Sequence, residues 1–351
     1  MRIAQIAPLA EAVPPKLYGG TERVVSFLTE ELVALGHEVT LFASGDSITR
    51  ADLAAMCPRA LRLDPDVRDA MAPIMLMLEQ VRQRAAEFDV LHFHLDYWPF
   101  SLFSRQRTPF VTTLHGRLDL PELWPMYRNF PDARLVSISD AQRKPMPFSN
   151  WVGTVHHGLP IDLLRPLPAQ QSYLAFIGRI APEKRVDRAI EIAARAGAKI
   201  KIAAKIDRVD RDYFEQEIRP LFAQPHVEYV GEIADHEKSE FLSGAHALLL
   251  PIDWPEPFGL VMIEAMACGT PVIAFPAGSV PEVVEHGRTG FLVPDVAAAA
   301  KAVEQLPQLP REAVRRRFEE RFSARRMAED YVALYTQAAR EAEPALAIAA
   351  E

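Results

Sequence analysis

Short apolar runs and stretches of helical period take turns along this chain. Residues 3–8 form an apolar run of buried-strand length, and a loop follows over 11–20 with Pro14, Pro15, Gly19 and Gly20. Thr21 stands where a helix N-cap belongs. Val24, Val25, Leu28, Leu32 and Leu35 then recur on one helical face, and Gly36 ends the helix. Residues 37–43 are the next apolar run. Strand, helix, strand at this spacing is a βαβ unit, which predicts a parallel sheet with right-handed crossovers.

The alternation continues with a helical stretch at 71–88 and short strand candidates at 90–93, 110–114 and 135–137. Over 160–171 the chain becomes rich in Pro and Leu and loses its period, as an interdomain linker does. A second series starts with a strand at 173–177, a helix at 186–196 closed by Gly197, and a strand at 199–203. A helix at 213–222, strands at 227–230 and 247–250, a helix at 260–268 closed by Gly269, and a strand at 271–275 follow. A charged helical stretch over 310–342 comes last. The expected fold class is α/β: two Rossmann-like, doubly wound domains facing a central cleft, with ligands at the carboxyl ends of the strands.

Composition narrows the function classes. At 351 residues the chain exceeds what one core usually holds, in keeping with two domains. The net charge is −8 and both halves are acidic, so nucleic acid is not expected as a partner. No run approaches the roughly eighteen apolar residues of a membrane span. Residues 1–7 lack the apolar length of a secretion signal. The expected location is cytoplasmic, with peripheral contact at the inner face of a membrane left open. Cys57 and Cys268 are far apart and read as two buried thiols.

The segment with most chemistry is 251–269, PIDWPEPFGLVMIEAMACG. A strand ends near Leu250, a Pro-rich turn presents Glu256, and Phe258, Gly259 and Leu260 open a helix. Amides at a helix start lack carbonyl partners and favour an anion. Glu264 lies four residues after Leu260, on the face of that first turn. Two carboxylates that accept hydroxyl hydrogen bonds therefore flank anion-binding amides. The plain alternative, a helix with one satisfied Glu, leaves the E-P-F-G turn unexplained.

Arg179 and Lys184 sit in GRIAPEKR, on a strand-to-helix loop where two cations suit a diphosphate. Alternatively the loop is solvated, with ion pairs to Glu183 and Asp187. Tyr18-Gly19-Gly20-Thr21 precedes another helix start, where paired glycines let amides approach a phosphate or an acceptor. No G-x-G-x-x-G occurs there and no Walker A sequence occurs anywhere, which argues against a dinucleotide dehydrogenase and a P-loop NTPase. His115 follows an apolar strand and should project from its end. His92 and His94 share one side of a strand, but no third ligand cluster accompanies them, so a non-metal role is preferred. His156 and His157, near the linker, read as structural or hinge residues.

Together these residues resemble the retaining GT-B glycosyltransferases of family 4. Glu256 and Glu264 fit its E-x7-E motif, and Gly178, Arg179 and Lys184 fit its G-R-x-x-x-x-K motif. The glycine pair, the T-x-H-G element with His115, and the run from Gly269 to Val293 also fit. The resemblance covers nearly the whole chain. It implies an acceptor-binding domain at 1–165, a nucleotide-sugar-binding domain at 166–322, and a C-terminal helix at 323–351 packed back on the first domain.

By resemblance, Arg179 and Lys184 neutralise the departing diphosphate, Glu264 holds the ribose, and Glu256 contacts the transferred sugar. The amides of Phe258, Gly259 and Leu260 serve sugar and phosphate oxygens. Gly19 and Gly20 meet the diphosphate from the other domain, and His115 positions the sugar or acceptor. The reaction implied is hexosyl transfer from a nucleoside-diphosphate sugar to a glycan, a lipid-linked or a small-molecule acceptor. Fixed cations and amides at the phosphate make a divalent metal redundant, and no cofactor is expected. Two departures bear on donor preference. Lys205 stands where a glycine turn is frequent, adding a third charge at the phosphates or facing solvent. Trp254 and Pro257 replace smaller residues. Same-fold epimerases and hydrolases, and a non-catalytic nucleotide-sugar binder, are the competing readings. A retaining glycosidase using Glu256 and Glu264 fits poorly, because its carboxyls must stand about 5–5.5 Å apart across a sugar bond.

Overall fold

The computed structural model describes residues 1–16 and 19–348. Two compact units are present: Met1–Gly158 together with the helix Ala324–Ile348, and Leu159–Ser323.

The first unit carries seven parallel strands: β1 (Arg2–Ile6), β2 (Glu38–Ser44), β3 (Asp52–Cys57), β4 (Val90–Phe93), β5 (Phe110–Thr113), β6 (Leu135–Ser137) and β7 (Trp151–Thr154). Their order is β3-β2-β1-β4-β5-β6-β7. The β4 and β5 strands are buried along their whole length, as are the last four residues of β1, which explains their near-continuous apolar sequences. Phe42, Phe93, Phe100 and Phe103 centre one side of this core. Connections from β1 run one way and those from β4 the other, so the carboxyl ends of β1 and β4 form a switch point.

The helix Gly20–Ala34 starts one residue ahead of Thr21, with Gly19 as its cap. Among the described residues no side chain caps it. The Gly19 carbonyl accepts from the Arg23 amide at 3.2 Å, and a Cβ on Gly19 would come within 2.8 Å of Pro15. Close packing on Pro15, and not a hydroxyl cap, sets this helix start. Cys57 ends the edge strand β3 and is half-buried, unlike Cys268; both thiols are free.

The second unit repeats the plan with β8 (Tyr173–Arg179), β9 (Ile200–Lys205), β10 (Val227–Gly231), β11 (Ala245–Leu250), β12 (Val272–Ala274) and β13 (Gly290–Leu292). The order β10-β9-β8-β11-β12-β13 puts its switch point between β8 and β11. The helix expected over 213–222 is a broken run: a turn at Arg211–Tyr213, a π turn at Phe214–Ile218 and a 3-10 turn at Arg219–Ala223. Pro220 supplies no amide to an α-helical ladder and accounts for the break. The Pro-rich stretch after Gly158 packs on this unit, where Arg315 donates to the carbonyls of Ile161 and Leu164 at 2.8 and 2.7 Å.

The charged C-terminal stretch is two helices. Arg311–Arg321 belongs to the second unit and Ala324–Ile348 to the first. Between them Phe322 is fully buried, and its carbonyl accepts from the Leu159 amide at 2.9 Å. Among the described residues no helix is long and apolar enough to cross a membrane.

Candidate active site

The two switch-point loops of the second unit carry most of the chemistry singled out in the sequence. One runs from the end of β8 through Arg179 to the helix Val186–Arg195. The other runs from the end of β11 through Glu256 to the helix Leu260–Ala267. Several bonds pin them together. The Asp253 amide donates to the Glu183 carbonyl at 3.0 Å. Arg185 and Arg188 both reach the Asp253 carboxylate, at 2.9 and 3.1 Å. Lys184 Nζ pairs with Glu256 Oε2 and lies 4.7 Å from the centre of the Trp254 ring. The Trp254 indole N–H donates to the same Glu256 oxygen at 3.1 Å. Trp254 thus takes a defined place: it orients the carboxylate and covers the ammonium.

Gly259 caps the helix with φ of +79°, a left-handed conformation that suits glycine. A Cβ there would meet Met262 at 2.8 Å and Glu256 at 3.2 Å. A second support comes from the loop after β12. Ser279 is fully buried; its amide donates to the Glu256 carbonyl and its hydroxyl to the Phe258 carbonyl, both at 2.9 Å. Gly278, at φ of +59°, packs so close that a Cβ would collide with the backbone of Glu256. The Glu256–Leu260 turn is therefore held by Gly278 and Ser279, which lie in the Gly269–Val293 run but were given no role from the sequence. The Met262 amide donates to the Gly259 carbonyl at 3.0 Å, and the amides of the first helical positions before it make a helix start suited to an anion.

The charges are paired in this state. Arg179 reaches Glu183 at 3.0 Å, Asp210 at 3.4 Å and Asp207 at 3.5 Å. Lys205 ends β9 and pairs with Asp207 at 3.0 Å, so it faces a carboxylate within the unit. Burial works against ionisation of Asp207, but the Lys205 ammonium and then Arg179 hold its carboxyl below the ordinary range. Glu264 is buried and accepts from Lys238 at 2.7 Å. Sequence reading missed Lys238, which lies on Asp235–Ser243, a helix it did not predict. The sequence-based ion-pair alternative for the GRIAPEKR loop is present for Glu183, and Arg185 takes Asp187 at 2.7 Å.

In the first unit, Gly19 and Gly20 open the first helix, and Tyr18 lies outside the described residues. His115 follows β5, and its Nε2 is 2.8 Å from His94 Nδ1. His94 Nε2 bonds Gln5 at 2.9 Å, while His92 bonds Tyr335 and Thr113, each at 2.7 Å. The ring of His157 stacks on His115 at 5.3 Å. Burial pushes His92 and His94 well below the ordinary range and His115 down to about 3, so these rings are neutral. The nitrogens of His92 and His94 are used in hydrogen bonds. Among the described residues no three His, Cys, Asp or Glu side chains form a metal-holding group. The Tyr335 contact comes from the C-terminal helix, at a sequence distance that no local pattern signals.

Comparison with known proteins supplies the family. Residues 165–324 match the model described as Glycosyl transferases group 1, and residues 18–144 match Glycosyltransferase Family 4. The chain is similar to the alpha-maltose-1-phosphate synthase of Mycolicibacterium smegmatis, 35% identical over 141 residues, which are 38% of this chain. That stretch is 35% of the relative, so the match spans about a third of its length. Two solved structures share the fold over almost the whole chain. AviGT4, a glycosyltransferase involved in avilamycin A biosynthesis, gives a TM-score of 0.74 at 24% identity, covering 97% of this chain and 98% of the other. Anabaena Alr3699/HepE in complex with UDP-glucose gives 0.70 at 20%, covering 96% and 100%. At such identities the likeness speaks for the fold, which is GT-B. With one model over each half and both fitting units of the expected topology, the chain belongs to glycosyltransferase family 4.

Proposed function

We propose that the protein transfers a hexosyl group, with retention, from a nucleoside-diphosphate sugar to a glycan, lipid-linked or small-molecule hydroxyl. The observation that carries this reading is the second unit's switch point. There the Lys184–Glu256 pair ties the loop after β8, which also carries Arg179, to the turn that opens the helix Leu260–Ala267, and Arg179 and Lys184 are each paired with a carboxylate that a ligand can replace.

In the proposed reaction the diphosphate displaces Glu256 from Lys184 and Glu183 from Arg179. Two cations and the amides of Phe258, Gly259 and Leu260 then face the phosphate oxygens. Glu256, released, accepts from a hydroxyl of the transferred sugar, and Glu264 accepts from the ribose. Lys205 lies one carboxylate away from Arg179 and is assigned to the same phosphate end. Gly19, Gly20 and His115, from the first unit, are assigned to the diphosphate and the sugar on the family resemblance.

As the bond from the sugar carbon to the leaving phosphate oxygen breaks, positive charge grows on the ring and negative charge on the diphosphate. Fixed cations and oriented amides stabilise that charge without reorganising. The acceptor oxygen bonds the same carbon on the same face, and its proton passes to the departing phosphate oxygen. The first unit is assigned to the acceptor and the second to the donor.

A thermal-shift screen of UDP, GDP, ADP and TDP tests the reading. A ligand at a hundred times its dissociation constant stabilises by about 2.7 kcal/mol, well within reach of a melting curve. No shift with any member would remove the proposal. The UDP-glucose bound to the Anabaena relative makes UDP the first to try.

A further inference from the structure

Gln5, on the central strand β1, is fully buried at the junction of two hydrogen-bonded arms. Its amide N–H donates to Tyr335 Oη at 3.0 Å, and its carbonyl oxygen lies 2.9 Å from His94 Nε2. An amide oxygen only accepts, so His94 carries its proton on Nε2. The ring is neutral, as established above, and Nδ1 is then a bare acceptor. His115 Nε2, at 2.8 Å, must donate to it. The single proton of neutral His115 therefore sits on Nε2. Its Nδ1 is left as an acceptor, buried and with no hydrogen-bond partner among the described residues.

The second arm obeys the same rule. Tyr335 accepts from Gln5 and donates to His92 Nδ1 at 2.7 Å. His92 Nε2–H donates to Thr113 at 2.7 Å, and Thr113 donates to Tyr331 at 2.9 Å. Turning the Gln5 amide over would reverse every donor in both arms. It would also place an N–H on His115 Nδ1, where no acceptor stands. Orphaned buried donors are rarer than under-used acceptors, which favours the orientation described.

We propose that Gln5 is a positioning residue: through His94 it fixes the Nε2–H tautomer of His115, so that Nδ1 accepts from a hydroxyl of the bound sugar. The proposal rests on the assignment of His115 to the reacting sugar made above. The acceptor face follows from Gln5, two rings away, and not from anything His115 touches directly other than His94.

The test is side-chain nitrogen NMR of the full chain with labelled histidine. Neutral His115 should show a protonated Nε2 and a bare Nδ1, and His94 likewise. A protonated Nδ1 on His115 in the wild-type protein would overturn the proposal without any variant. In Gln5→Leu the anchor is lost, so His115 should become a tautomer mixture. The KM for the donor should rise by about two- to ten-fold, the range of one neutral hydrogen bond. A folded Gln5→Leu protein with His115 still in the single Nε2–H form would also overturn it. His115→Ala separates the two layers: wild-type transfer in that variant removes His115 from the reaction, while the tautomer spectrum still decides the role of Gln5.

Discussion

Lys238→Met asks whether the carboxylate of Glu264 is held by one buried cation. The Lys238 and Glu264 side chains are only 13% and 7% exposed, and their 2.7 Å bond joins two helices of the second unit. Asp235, 34% exposed and 3.1 Å from Lys238, is the lesser partner. Removing the lysine leaves a buried carboxylate uncompensated, which costs about 3–5 kcal/mol. For a unit of this size each kcal/mol moves the melting temperature by about 2–4 °C, so the second unit should melt roughly 6–20 °C lower. Scanning calorimetry at neutral pH reads the gap between variant and wild type directly. Adding Glu264→Gln should restore most of the loss at neutral pH. A single variant that melts with the wild type at neutral pH would refute the argument that this pair is buried and coupled.

Other outcomes follow from the same geometry. Arg179→Ala and Lys184→Ala should each lower the rate of transfer by about 100- to 1,000-fold with the fold intact, the usual loss for one transition-state charge partner; steady-state kinetics and circular dichroism check this. Glu264→Ala should weaken nucleoside-diphosphate binding by about ten-fold, one hydrogen bond to a charged group, read by titration calorimetry. Gly278→Ala should destabilise the second unit by at least 1–3 kcal/mol, roughly the cost of a left-handed non-glycine residue, and should raise the donor KM because the new Cβ displaces the Glu256 turn. Burial holds His92, His94, His115 and His157 below their unfolded value, so the unfolded chain binds more protons and stability should rise with pH up to about 6.5. Asp96, which burial pushes up to about 6, opposes one of these four. A melting temperature that does not climb between pH 5 and about 6.5 would contradict the neutral histidine cluster.

The sequence was most legible where burial is two-sided. The β4 and β6 strands are short apolar runs between turn residues, and both were readable to the residue. The helix Leu260–Ala267 was equally plain because glycines bracket it. The edge strands of the first sheet were not: β3 is Ala-rich and half-exposed, β7 carries Gly153, and neither has a run that separates it from loop, whereas β10, at an edge of the second sheet, was read as a strand at 227–230. The chain segment at 211–223 misled because its apolar period is helical while Pro220 forbids the ladder. At the site, Arg179, Lys184, Glu256 and Glu264 were visible as chemistry on loops. Their partners were not. Lys238 reaches Glu264 across 26 positions, and Tyr335 reaches Gln5 across 330. Pairings at such separations are set by strand order, which no local period encodes.

Titration calorimetry of the cognate nucleoside diphosphate against wild type, Arg179→Ala and Lys184→Ala tests the central claim most directly. The account predicts binding to the wild type and a loss of about ten-fold or more in each folded variant, the worth of one charge-assisted hydrogen bond. Wild-type affinity in both variants would contradict it, because the diphosphate would then lie away from the loops that follow β8 and β11.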